Sequence, residues 1–127
     1  VMLGLRDIDP PEAEILETLN IKYFTYEDIK SLGLDYCLNE CIKHLSHLDN
    51  VHVSFDIDGV NPELLPGVSV PVPDGFTIDE VYTVFNRLLG ELPVHSLDIV
   101  EFNKEFDKEN VTANFTYELI QHIRKIL

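Results

Sequence analysis

Apolar positions along this chain change period several times, and each change marks an element. Residues 1–5, Val-Met-Leu-Gly-Leu, form an apolar run of strand length, closed by Arg6-Asp7-Ile8-Asp9-Pro10-Pro11. A helix is expected near Pro11, a residue suited to a first turn, with Glu12 and Glu14 at the positive end of its dipole. A short strand over 21–24 leads to Thr25, which caps a brief helix through Lys30 with Asp28 as its acidic partner. After Gly33, the residues Leu34, Cys37, Leu38, Cys41, Leu45 and Leu48 recur at helical spacing. A β-branched and aromatic strand follows over 51–55, then a Pro/Gly-rich loop over 64–75. Thr77 and Glu80 make a capping box ahead of a helix whose apolar face is Val81, Val84, Phe85, Leu88 and Leu89. A strand over 96–102 and a helix over 112–127 close the pattern. Strands alternating with helices predict an α/β fold: three layers, α/β/α, around a mostly parallel sheet.

With 127 residues the chain is read as one domain, 1–127, long enough for a core. A first strand with nothing before it suggests that chain is missing upstream. The net charge of −14 argues against nucleic acid or an anionic membrane as partner and suits cations or small basic substrates. No apolar run has the length of a membrane span, and no signal peptide is recognisable. Cys37 and Cys41, four apart on a helical pattern, read as buried thiols rather than a disulfide. A reducing, cytoplasmic compartment is the expectation.

The stretch Val53-Ser54-Phe55-Asp56-Ile57-Asp58-Gly59-Val60-Asn61-Pro62 carries the chemistry. Positions i and i+2 of a strand share a face, so Asp56 and Asp58 are expected to converge at the strand's end. Two adjacent carboxylates repel and raise each other's pKa, and a hard cation such as Mg, Mn or Ca removes the conflict. A calcium loop does not fit, because Gly59 and Gly67 fall at the wrong positions. A phosphatase of the haloacid dehalogenase type fits locally, with Asp56 as nucleophile and Asp58 as acid/base. It lacks the later paired acidic motif, so it is a minor alternative.

A third pattern covers far more of the chain. Residues 54–77, SFDIDGVNPELLPGVSVPVPDGFT, resemble the ureohydrolase signature. Residues 4–12, GLRDIDPPE, resemble a segment of arginases, and residues 97–103, LDIVEFN, are similar to a third family motif. The chain therefore resembles the C-terminal portion of an arginase, closer to arginase than to agmatinase. The resemblance implies hydrolysis of L-arginine to L-ornithine and urea at a binuclear manganese centre. It places Asp56 and Asp58 among the metal ligands, Glu101 at the substrate guanidinium, and Asp9 with Glu12 nearby at the α-amino group. Asp7 and Asp98 belong to the motifs and are expected to be structural. A homo-trimer or hexamer is implied for the intact protein. The family's four further metal ligands and its proton-shuttling histidine lie upstream of any residue here. No catalytic residue is therefore assigned in this chain, and alone it is expected to show little or no activity. A diverged, non-catalytic relative is the competing reading. Val70 and Lys104 favour it, because each departs from the family pattern, and Asn61 is a further departure. Among the histidines, His44 and His47 are expected in solvent and His52 in a structural role, while His95 and His122 carry no pattern.

Overall fold

The computed structural model describes residues 1–127. In chain order the main elements are β1 (Met2–Leu5), α1 (Pro10–Thr18), β2 (Tyr23–Thr25), α2 (Tyr26–Leu32), α3 (Leu34–Leu45), β3 (Val51–Asp56), α4 (Ile78–Glu91), β4 (Val94–Val100) and α5 (Val111–Ile126). Capping explains three of the helix starts. Asp9, Thr25 and Thr77 each accept the N–H of the residue three further on, and Glu12, Asp28 and Glu80 return the bond.

The strands pair as β1–β2 and β3–β4, both parallel. This refines the expected single sheet, because the two pairs are not hydrogen-bonded to each other. Each of β1 and β3 has one bonded edge and one free edge. A cavity of about 580 Å³ lies between the free edges. Consecutive residues from Val1 to Arg6 and from Val51 to Asp56 line it, and Val81, Val84, Phe85 and Leu88 of α4 lie beneath. Val53, Phe55, Leu97 and Ile99 turn inward, and Phe55 meets the buried Phe85 edge-on with ring centroids 5.3 Å apart. The other face of this pair presents His52, Ser54, Ser96 and Asp98 to solvent. Parallel sheets are usually covered on both faces, so this arrangement reads as part of a three-layer α/β/α fold.

Leu38, Ile57, Val60, Leu65, Val81, Phe85 and Leu119 form the most deeply buried apolar group. Cys37 and Cys41 are buried and unbridged, as their spacing suggested. Boundaries moved where the backbone had a better local option. Asp56 ends β3 because residues Ile57–Gly59 close a 3-10 turn. Likewise, β4 stops at Val100 because Glu101 adopts a left-handed conformation, φ 61°, which breaks the ladder.

Candidate functional site

Both parallel pairs deliver their acidic residues at carboxyl ends, where α/β sheets keep their crevices. Arg6 Nη2, just past β1, donates to the carbonyl of Asp58, so the ends of β1 and β3 lie together. Asp56 pairs in register with Val100, which puts Glu101 one residue beyond it at the same end of the pair.

Asp56 and Asp58 do converge, but not by strand alternation. Asp58 lies in the 3-10 turn, and its N–H donates to Asp56 Oδ1 at 3.1 Å. Partial withdrawal from water, together with the charge of Asp58, holds the Asp56 carboxyl above the ordinary range; the Asp58 N–H and the Arg6 guanidinium oppose this. Glu101 is exposed, and its left-handed backbone is unusual for a side chain of that size.

The loop from Gly67 to Phe76 is tied at both ends. At the first end, Gly67 N–H donates to the buried Thr112 Oγ1 at 2.8 Å. Asn103 N–H donates to Gly67 O at 2.8 Å, and Asn103 Nδ2 donates to Ser69 Oγ at 2.9 Å. At the other end, Arg6 Nη1 donates to Val72 O at 2.7 Å. Val70, between these anchors, is 63 % exposed. A second cavity, about 680 Å³, brings Val70 to Val72 together with Asp7, Tyr26 and Lys30. Arg6 and Val72 line both cavities.

The predicted site residues divide into two groups. Asp56 and Asp58 line the cavity between β1 and β3. Asp9 and Glu12 do not, and their carboxylates are engaged in the cap of α1: Glu12 N–H donates to Asp9 Oδ1 at 2.9 Å and Asp9 N–H to Glu12 Oε2 at 3.2 Å. Asn61 has a local explanation, since its Oδ1 accepts the Glu63 N–H at 3.0 Å in a turn that needs no charge. Lys104 is exposed in the turn after Asn103. His52 is structural, as expected: Nδ1 lies 2.8 Å from Ser96 Oγ and Nε2 3.3 Å from Asp98 Oδ2. His44 and His47 are exposed.

Sequence reasoning missed the bonding of Arg6 and the role of Asp107. The Asp107 carboxylate accepts the N–H groups of Thr112 and Ala113 at 2.8 and 2.9 Å, which caps α5. Burial disfavours its charge, yet the two N–H donors outweigh that and keep it below the ordinary range. The Asp-x4-Thr spacing of this cap is not one of the standard signals, so nothing in the sequence marked it.

The family model described as the arginase family matches residues 1–124. The arginase of Brevibacillus brevis is 35 % identical over 124 residues, which is 97 % of this chain and 42 % of that protein. Human arginase-1 is 36 % identical over 116 residues, 88 % of this chain and 36 % of that protein. The solved arginase of Bacillus caldovelox superposes with a TM-score of 0.90 at 31 % identity, across 97 % of this chain and 42 % of that one. An Entamoeba histolytica arginase crystallised with L-ornithine gives a TM-score of 0.87 at 32 % identity, across 96 % of this chain and 42 % of that one. The chain thus spans about two fifths of the length of these relatives.

Proposed function

This chain belongs to the arginase family, and from that premise we propose that it supplies part of the active site of a hydrolase acting on L-arginine. The products are L-ornithine and urea. Residues 1–127 are the C-terminal portion of one arginase-type α/β domain, in an oligomer of the intact protein and in the cytoplasm. The slot between the free edges of β1 and β3 supports this reading, because unpaired parallel edges over an apolar floor call for further strands.

One observation carries the proposal. Asp56 and Asp58 share one turn at the carboxyl end of β3, with Glu101 at the same end of β4. The pair fits a divalent cation such as manganese: both offer hard oxygen donors within one turn, and a cation there would offset both the partial burial of Asp56 and the neighbouring charge of Asp58. Two carboxylates are too few to hold it, and no cluster of three metal-binding side chains exists in this chain. When bound, a metal pair supplies an ionised water as nucleophile.

The chain's own residues have the remaining tasks. Glu101 receives the planar guanidinium through paired charge-assisted hydrogen bonds. Asp9 and Glu12 attract the α-amino group, with the carboxylate oxygens left over from the α1 cap. Their engagement in that cap, together with exposed Val70, favours a second reading: a diverged relative without turnover. The phosphatase alternative is set aside, because the family match runs through Asp56 over residues 1–124.

The test is to combine this chain with the separately expressed remainder of the Bacillus subtilis arginase, add Mn²⁺, and assay urea from arginine. Urea above either component alone, abolished by Asp56→Asn, supports the proposal. Association without urea selects the diverged relative.

A further inference from the structure

The guanidinium of Arg6 joins the segments on which the site depends. Nη1 donates to Val72 O at 2.7 Å and Asp74 O at 2.5 Å, while Nη2 donates to Asp58 O. One side chain thus spans the acidic turn and the loop that carries Val70.

We propose that Arg6 is a positioning residue, which sets the Asp56–Asp58 turn and the 70–76 loop in one fixed relation so that the metal-binding carboxylates and the loop that carries Val70 are presented together. The proposal rests on reading Asp56 and Asp58 as metal ligands.

Three features agree with it. Gly75 has φ 116°, and a Cβ there would stand 2.6 Å from Gly59 O and 2.7 Å from Arg6 Nη1. Absence of a side chain at 75 therefore leaves the space the guanidinium occupies. Next, the two segments meet again directly beyond Arg6: Phe76 N–H donates to Gly59 O and Asn61 N–H to Phe76 O, each at 3.0 Å. The clamp thus continues into a short parallel bridge between Val60 and Phe76. Finally, Arg6 immediately precedes Asp7, so the clamp also fixes where the 7–9 segment leaves β1.

The chemistry requires arginine. A planar guanidinium sends donors from two nitrogens toward separate acceptors, whereas a lysine ammonium serves as one point charge. Arg6→Lys therefore keeps the charge and cannot keep both sides of the clamp. A role limited to charge balance or packing would be rescued by lysine.

The experiment compares wild type, Arg6→Lys and Asp56→Asn. Hydrogen exchange of the 127-residue chain is read at the Asn61 and Phe76 amides, with the α5 amides as a fold control. Mn²⁺ binding is then titrated in the complex with the remainder of the Bacillus subtilis arginase, followed by the EPR signal of the free ion. The expected result for Arg6→Lys is faster exchange at Asn61 and Phe76 with α5 unchanged, and Mn²⁺ affinity weakened by about 10–100-fold, as for other residues that orient metal ligands. Wild-type exchange and wild-type Mn²⁺ affinity in Arg6→Lys, while Asp56→Asn loses the metal, overturns the positioning role and leaves the metal reading intact. Wild-type Mn²⁺ affinity in Asp56→Asn overturns the metal reading itself. Should Arg6→Lys lose α5 protection, Arg6→Gln takes its place, and wild-type exchange at Asn61 and Phe76 in that variant counts against the clamp.

Discussion

Thr112→Val exchanges one methyl-sized group for another at a fully buried position, yet it is expected to cost more than Thr112→Ser, which leaves a smaller side chain. Thr112 is the one buried polar side chain of the core, with no exposure. Its Oγ1 accepts the N–H of Gly67 at 2.8 Å, and that N–H is buried with it. Valine removes the acceptor and leaves the amide without a partner, at a cost of about 1–3 kcal/mol. A methyl also cannot sit as near an amide nitrogen as a hydroxyl does, and Gly67 has no slack, because a Cβ there would already fall 2.8 Å from Thr112 Oγ1. Serine keeps the acceptor and gives up one buried methyl, about 0.8 kcal/mol by transfer plus a small cavity. Urea denaturation of the three chains at matched m-values measures the difference. The ordering expected is wild type, then Ser, then Val. The loop amides of Val68 to Val70 should exchange faster in the valine variant, because the first anchor of the loop is gone. A valine variant as stable as the serine variant would refute the reasoning, since it would mean the Gly67 amide loses nothing when its acceptor is deleted.

Asp107→Asn should be less stable than wild type at neutral pH. The folded-state pKa of Asp107 is depressed, so its stabilisation is present above the unfolded value near ~3.9 and is lost as pH falls through the folded one. Denaturation midpoints of the two proteins should therefore converge in acid, and a constant gap across pH would contradict the capping role. Phe85→Ala deletes a ring that is 1 % exposed and packed edge-on against Phe55; about 3–5 kcal/mol is expected, a large share of a small domain's stability. Near-native denaturation by urea would show that α4 packs against the β3–β4 pair far less tightly than described. Burial pushes the Cys41 thiol up to about 11 and raises Cys37 as well, so neither should react with Ellman's reagent at pH 8 until the chain is unfolded. Rapid modification in native buffer would place α3 outside the core.

Local rules made much of this structure legible. The capping boxes at Thr25 and Thr77 were readable because donor and acceptor stand three residues apart, within one turn of helix. The apolar faces of α3 and α4 followed from spacing, and Cys37, Cys41, Val81 and Phe85 are buried as that spacing required; Leu48, expected on the same face, falls beyond the end of α3 and is exposed. The loop over 64–75 was recognisable from its prolines and glycines. Asp9 and Glu12 show where legibility ends. The same three-residue spacing that makes a capping box also stood inside the family motif, and the sequence does not say which use a carboxylate serves.

Other features were invisible for a physical reason. The bonds from Arg6 cross 52 to 68 positions of sequence, and no periodicity records a contact between segments that far apart. The cap of α5 by Asp107 and the burial of Thr112 against Gly67 likewise join distant or irregular backbone. Alternation along an extended strand suggested that Asp56 and Asp58 would point together. They do meet, but through a 3-10 turn that buries Ile57 and bonds one residue's N–H to the other's carboxylate. By itself the sequence determined which acids a candidate site can draw on, because the identity of those acids and their neighbours is a property of the chain. Only the tertiary structure decided that the acids end at the carboxyl edge of two separate parallel pairs, held together by one arginine, because that depends on which backbone groups remain free after each element has satisfied its own.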